Sequence, residues 1–178
     1  ASITRLRDEF SGNLSGATCS VIGLGSIGFK IALGLIEEGC NVIAFGRSQD
    51  RLSKLVDCLN LLKSDYTIAS AVLARNLDLA MAKSRACLLA ASSTGYISIR
   101  HLQLLGLPSP MILDVSKNSL DVEAKNYALN SDYIRYTRLD IGRELTNLVA
   151  TAIASGSRPL APCIPARAKL IIASSGYC

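Results

Sequence analysis

Six residues, Gly23-Leu24-Gly25-Ser26-Ile27-Gly28, constrain this chain more tightly than any others. An apolar run from Ala17 to Ile22 precedes them, and an amphipathic run from Phe29 to Glu38 follows. Strand, glycine-rich turn and helix in that order form a site for a dinucleotide pyrophosphate. The first glycine permits the tight turn, the second lets backbone approach the phosphates, and the third lets helix pack close to strand. The helix N-terminus adds free N–H groups and a partial positive charge. A bare GxGxxG is weak evidence; the flanking elements make this one specific. Gly23, Gly25, Ser26, Ile27 and Gly28 are the expected pyrophosphate-binding residues.

The pattern around the turn repeats along the chain. Strands are expected at Cys19 to Ile22, Asn41 to Phe45, Tyr66 to Ser70, Ala86 to Ala91, Met111 to Val115 and Tyr133 to Leu139. Between them fall helical patterns at Ser26 to Glu38, Asp50 to Leu62, Ala74 to Lys83, Ile97 to Leu105 and Asp121 to Asn130. In the first helix Ile27, Ile31, Leu35 and Ile36 share an apolar face, and Gly39 stands where a C-terminal cap belongs. Such alternation predicts an α/β fold, a doubly wound and mostly parallel sheet with helices on both faces, that is, a Rossmann fold. The expected organisation is a short N-terminal helix and linker over 1–13, the nucleotide-binding domain over 14–155, closed by a helix from Arg143 to Ala154, and a proline-rich tail over 156–178. The sequence shows no internal repeat.

Composition removes several function classes. No apolar run approaches the roughly 18 residues that span a bilayer, so no membrane association is expected. The charged N-terminus (Arg5, Arg7, Asp8, Glu9) does not read as a secretory signal. Net charge is +5, spread over 19 Lys and Arg without a dense run, and Trp is absent, so nucleic-acid binding is not expected. A slight basic excess also suits an anionic cofactor. Six cysteines without a CxxC pair and a single histidine offer no metal-ligand spacing. Cys19 and Cys87 lie in apolar runs, which implies a reducing compartment and a cytoplasmic location.

In a sheet of this kind ligands bind beyond the carboxyl ends of the strands. After the second strand comes Gly46-Arg47-Ser48, where NAD-preferring sites carry Asp or Glu for the ribose hydroxyls. A carboxylate would repel a 2′-phosphate. Arg47 can bind one in a charge-assisted fork, Ser48 can donate to it, and Arg51 lies one helical turn further on. The expected cofactor is therefore NADP(H) in preference to NAD(H). After the fourth strand, Ser92, Ser93 and Thr94 are placed to pass the nicotinamide ribose; an ordinary Ser/Thr-capped turn reads equally well. After the fifth, Asp114 either orients a ligand or caps the following turn, and Lys117 is a candidate for binding a carboxylate or acting as an acid. His101 has no evident carboxylate partner and reads as a surface or packing residue. Neither a GxSxG elbow, an HExxH pair nor a GxxxxGK[ST] loop occurs.

With GLGSIG, AFGRS, ACLLAASSTG and PMILDVSKN in order, the chain resembles the NAD(P)-binding domain of the shikimate dehydrogenase and glutamyl-tRNA reductase group. Its first half also resembles the nucleotide domains of dipicolinate synthase A subunits and 2-hydroxyacid dehydrogenases. The resemblance covers roughly 14–155 and implies a cofactor domain more directly than any one enzyme. Those enzymes carry a separate substrate domain, whereas only about a dozen residues precede the nucleotide domain here. Lacking too are the Pro-Arg that follows the aspartate in the tRNA reductases and the catalytic set of the hydroxyacid dehydrogenases.

The expectation is thus an NADP-dependent oxidoreductase domain excised from a longer enzyme. Its substrate is a small molecule, its catalytic residues are unassigned, and its partner is a covalently linked substrate domain or a second copy in a homodimer. Two rivals, a non-catalytic nucleotide-sensing module and an S-adenosylmethionine-dependent methyltransferase, would each want an acid near residue 46.

Overall fold

A computed structural model describes residues 13–139 apart from 83, 107–109 and 117. The expected N-terminal helix, Lys117, the helix from Arg143 to Ala154 and the proline-rich tail lie outside the described residues. The chain divides into two units, Ala1–Arg138 and Leu139–Cys178, and the sheet belongs to the first.

Six strands form one sheet: β1 (Thr18–Ile22), β2 (Asn41–Phe45), β3 (Ala71–Leu73), β4 (Ala86–Leu89), β5 (Met111–Asp114) and β6 (Arg135–Arg138). Their order is β3-β2-β1-β4-β5-β6, and every pairing is parallel. Parallel neighbours require crossovers, and five helices supply them: α1 (Ser26–Glu37), α2 (Gln49–Leu62), α3 (Leu77–Ala82), α4 (Ile99–Gln103) and α5 (Val122–Asn130). Strand order reverses between β1 and β4, the topological switch point of a doubly wound sheet.

Both faces are covered, which is why the central strands read as continuous apolar runs. One face presents Ile22, Ile43, Cys87, Leu89 and Ile112 to Ala80 and Met81 of α3, Leu102 of α4, and Ala124 and Ala128 of α5. Alternate residues such as Val21, Val42 and Ala44 are fully buried on the other face. There α1 packs on β1 and β2, and α2 on β2 and β3. The buried stripe of α1 is Ile31, Ala32, Leu35 and Ile36; that of α2 is Leu52, Val56 and Leu59. Ser20 is the polar exception inside β1. Its hydroxyl and that of Ser84 converge on the Ala80 carbonyl at 2.5 and 2.7 Å, tying α3 to the sheet. The Cys19 and Cys40 thiols, both buried, lie 3.2 Å apart beneath α1. The hydrogen bond from Cys40 and then burial push the Cys19 thiol far above its usual range.

One strand is not where the sequence puts it. Residues Tyr66 to Ser70 are irregular, and β3 begins at Ala71. Tyr66 and Ile68 are almost fully exposed. Side chains hold this segment against helix ends: Thr67 Oγ1 donates to the Ile36 carbonyl at 2.9 Å, and Lys63 Nζ to the Thr67 and Ala69 carbonyls at 3.1 and 2.7 Å. The two Lys63 bonds satisfy carbonyls that a strand would direct into a ladder. The helix expected from Ala74 starts at Leu77, and Ile97, expected as helical, forms an isolated bridge to Leu120.

Candidate functional site

Because all strands run the same way, the loops after β1, β2, β3, β4 and β5 share one edge of the sheet. The glycine turn is central. Its backbone is joined to both neighbours: Gly23 N donates to the Phe45 carbonyl at 2.7 Å, and Ala90 N to the Ile22 carbonyl at 2.9 Å.

The three glycines do different work. Gly23 has φ +95°, a conformation that L side chains rarely adopt, and a methyl there would lie 2.7 Å from the Ala91 backbone. At Gly28 a methyl would fall 1.9 Å from the Gly23 carbonyl oxygen and 3.3 Å from Ala90 Cβ. These two positions are closed by the protein itself. Gly25 differs: φ is −73° and ψ −169°, and a methyl there meets no heavy atom within 4 Å. Nothing in the fold forbids a side chain at Gly25. What the glycine preserves is open space in front of the first turn of α1.

That turn suits an anion. Gly25 is the N-cap without a side-chain cap bond, and no acid occupies the first turn, so the helix's leading N–H groups and partial positive charge face the open space. Ser26 is exposed, and Ile27 is 46% exposed, not on the buried face where the helical spacing places it. The residues present therefore fit a pyrophosphate, and Gly25, Ser26 and Ile27 would border it.

After β2, Gly46 leaves a space that Leu52 Cδ1 approaches to 3.1 Å from where a methyl would stand. Arg47 and Ser48 follow, both exposed, and Ser48 is the N-cap of α2 without a side-chain bond. Arg47 and Arg51 have no ion pair or hydrogen-bond partner among the described residues. Asp50 sits in the same first turn and is exposed.

On the other side, Ala90 and Ala91 carry the chain from β4 past the glycine turn to Ser92, Ser93 and Thr94. Ser92 and Thr94 are exposed and Ser93 half-buried. This loop runs beside the one after β5: Gly95 N donates to the Asn118 carbonyl at 2.8 Å and Tyr96 N to the Ser119 carbonyl at 3.1 Å. Sequence reasoning missed Ala90 and Ala91, whose smallness is what allows β4 to close on Gly23 and Gly28; the paired alanines before Ser92 were the available signal.

Asp114 is 3% exposed and internally engaged. Its carboxylate accepts from Ser116 Oγ at 2.6 Å and from Tyr136 OH at 3.1 Å, while Ser116 and Ser119 hydroxyls share a hydrogen bond. Burial first, then the Asp114 charge, push the Tyr136 phenol up to about 12. Burial likewise raises Tyr96 to about 12, against the opposing hydrogen bond with Ser119. Asp114 thus fastens the loop after β5 to β6. His101 is structural too: Nδ1 accepts from Ser98 N at 3.0 Å, completing a capping box at α4, and Nε2 lies 3.5 Å from Asp78.

Solved structures share this arrangement. Dipicolinate synthase A chain from Bacillus subtilis is similar over 86% of this chain and 51% of its own, at 17% identity and a TM-score of 0.61. The chain has a Rossmann fold. The nucleotide-binding domain of glutamyl-tRNA reductase from Thermoplasma volcanium aligns over 89% of this chain and 98% of its own, at 16% identity and a TM-score of 0.56. D-mandelate dehydrogenase from Rhodotorula graminis matches this Rossmann chain over 85% of its length, and over 52% of the dehydrogenase, at 15% identity and a TM-score of 0.55. Other dehydrogenase and synthase structures are likewise spanned for only 36% to 52% of their length. No protein-family model matches the sequence, and no curated protein matches it. Among the described residues, no helix is long and apolar enough to cross a membrane.

Proposed function

We propose that this chain is the NADP(H)-binding domain of an oxidoreductase that moves a hydride between the cofactor and a small-molecule substrate. Its groups for the substrate would come largely from a linked domain or a second copy. The observation that carries the reading is Gly25, a glycine that the fold does not need and a pyrophosphate does. The cofactor supplies the redox chemistry; the protein supplies position and charge recognition. Arg47 and Ser48 would hold the 2′-phosphate, with Gly46 standing where a carboxylate would turn it away. Ser92, Ser93 and Thr94 would border the nicotinamide ribose. Free thiols at Cys19, Cys40, Cys58 and Cys87 fit a reducing compartment, the cytoplasm.

Fluorescence titration of the full chain with NADPH, NADH, ATP and S-adenosylmethionine tests the reading. NADPH should bind most tightly, and Arg47→Ala should weaken NADPH by about tenfold or more while sparing NADH. Tightest binding by ATP or S-adenosylmethionine would transfer the site to a nucleotide sensor or a methyltransferase. An equal loss for both nicotinamide cofactors on Arg47→Ala would remove the 2′-phosphate assignment.

A further inference from the structure

A second arginine, 28 residues along the sequence from Arg47, lies at the same corner of the sheet. The ladder between β2 and β3 pairs Val42 with Ala71, Ile43 with Val72 and Ala44 with Leu73. Ala74 N continues it by donating to the Ala44 carbonyl at 2.9 Å. The last pair of the ladder, Ala44 with Leu73, stands two residues before Gly46 on one segment and two before Arg75 on the other, so Arg75 and Gly46, the residue immediately before Arg47, leave the ladder at the same step. Neighbouring strands are about 4.8 Å apart, and both chains leave the sheet here at their carboxyl ends. We propose that Arg75 is a specificity-determining residue that shares the 2′-phosphate of NADP(H) with Arg47.

This rests on the NADP reading above. Beyond the switch point between β1 and β4, the two halves of a dinucleotide fall on opposite sides of the glycine turn. The phosphorylated adenosine belongs on the β2 and β3 side, since Ser92 to Thr94 lie on the other. On that side Arg47, Arg51 and Arg75 are all exposed, and none has an ion pair or hydrogen-bond partner among the described residues. The acid nearest Arg75 in sequence is already engaged: Asp78, three residues on, pairs with Arg100 at 2.5 Å and faces His101. Asp50 is the remaining carboxylate on the neighbouring loop and helix start; it is exposed and has no ion pair among the described residues. Three guanidinium groups against one such acid leave a net positive corner for a dianionic phosphate. Arginine suits it because its planar fork donates two parallel hydrogen bonds to phosphate oxygens.

The test is titration of Arg75→Ala, Arg47→Ala and the double variant with NADPH, NADH, 2′,5′-ADP and 5′-ADP. Arg75→Ala should weaken NADPH and 2′,5′-ADP about tenfold and change NADH and 5′-ADP less than twofold. Arg75→Lys should recover part of the loss, and Lys125→Ala on α5 should change nothing. Wild-type affinity for 2′,5′-ADP in Arg75→Ala would overturn the proposal, as would an equal loss for 5′-ADP or a matching loss in Lys125→Ala. If Arg47→Ala discriminates between the two cofactors and Arg75→Ala does not, Arg75 alone is excluded. If the wild-type chain binds NADH as tightly as NADPH, the NADP reading and this assignment fall together.

Discussion

Replacing Gly25 by alanine should separate folding from binding. The new methyl meets no heavy atom within 4 Å, and its φ and ψ are open to any residue. Two stability effects oppose each other. Removing glycine's freedom from the unfolded chain stabilises by about 0.4–1 kcal/mol, while alanine is a poorer N-cap than glycine by a similar amount. The net change should stay within about 0.5 kcal/mol, or about 2 °C in Tm for a domain of this size. Binding should respond very differently. The methyl occupies the space in front of the leading N–H groups of α1, and each charge-assisted hydrogen bond lost there costs about 1.5–3 kcal/mol. One such loss weakens NADPH binding by about 10- to 150-fold. Gly28→Ala is the converse control, since its methyl would stand 1.9 Å from a backbone oxygen that cannot swing away. Overpacking of that kind costs about 1–3 kcal/mol or more, a fall in Tm of about 4 °C upwards. Circular-dichroism melting and NADPH fluorescence titration on the same preparations give both readouts. Undiminished NADPH binding by Gly25→Ala would refute the reasoning, because the pyrophosphate would then not lie against that turn.

Arg47→Ala and Arg75→Ala, with the outcomes given above, probe the proposed 2′-phosphate site. Asp114→Ala should destabilise the chain by about 1–3 kcal/mol, since Ser116 and Tyr136 would each lose their buried acceptor; a denaturant midpoint unchanged from wild type would count against that role. Alkaline pH should destabilise the fold. Tyr96 and Tyr136 ionise near 10 when unfolded and near 12 in the structure, so the unfolded chain releases protons first. The stability they lend is complete below pH 10 and lost as pH rises towards 12. Tm measured across that window should fall less steeply in Tyr96→Phe and Tyr136→Phe than in the wild-type chain.

The sequence made the centre of the fold legible and its edge illegible, for a physical reason. In β1, β4 and β5 both faces are buried, so TCSVI, ACLL and MILD stand out as apolar runs without need of a partner. At the edge, Tyr66-Thr67-Ile68 has the stronger strand composition, yet pairing depends on reaching β2 in register. Only Ala71 to Leu73 do so, with Ser70 supplying its carbonyl to Val42 N. The glycine spacing and the Gly46-Arg47-Ser48 step were readable because local chemistry dictates them. That Gly46 and Arg75 follow the same end of one ladder was not, because only the pairing of distant segments reveals it. Ile27 shows the same limit at smaller scale. Helical period gives a face, but not which of its residues a neighbour covers: Ile27 is exposed while Ile31, Leu35 and Ile36 are buried.

The buried thiol pair of Cys19 and Cys40 gives the centre of the sheet a chemical silence. A thiol reacts as its thiolate, and Cys19 is held protonated by the hydrogen bond from Cys40 and by burial. Alkylating reagents can reach either sulfur only when β1 and β2 part from α1, whereas Cys58 stands exposed on α2. The same packing that fixes the glycine turn in place therefore also sets the clock for modification. The rate at which the inner thiols are labelled, relative to Cys58, reports how often the strand beneath the glycine turn opens.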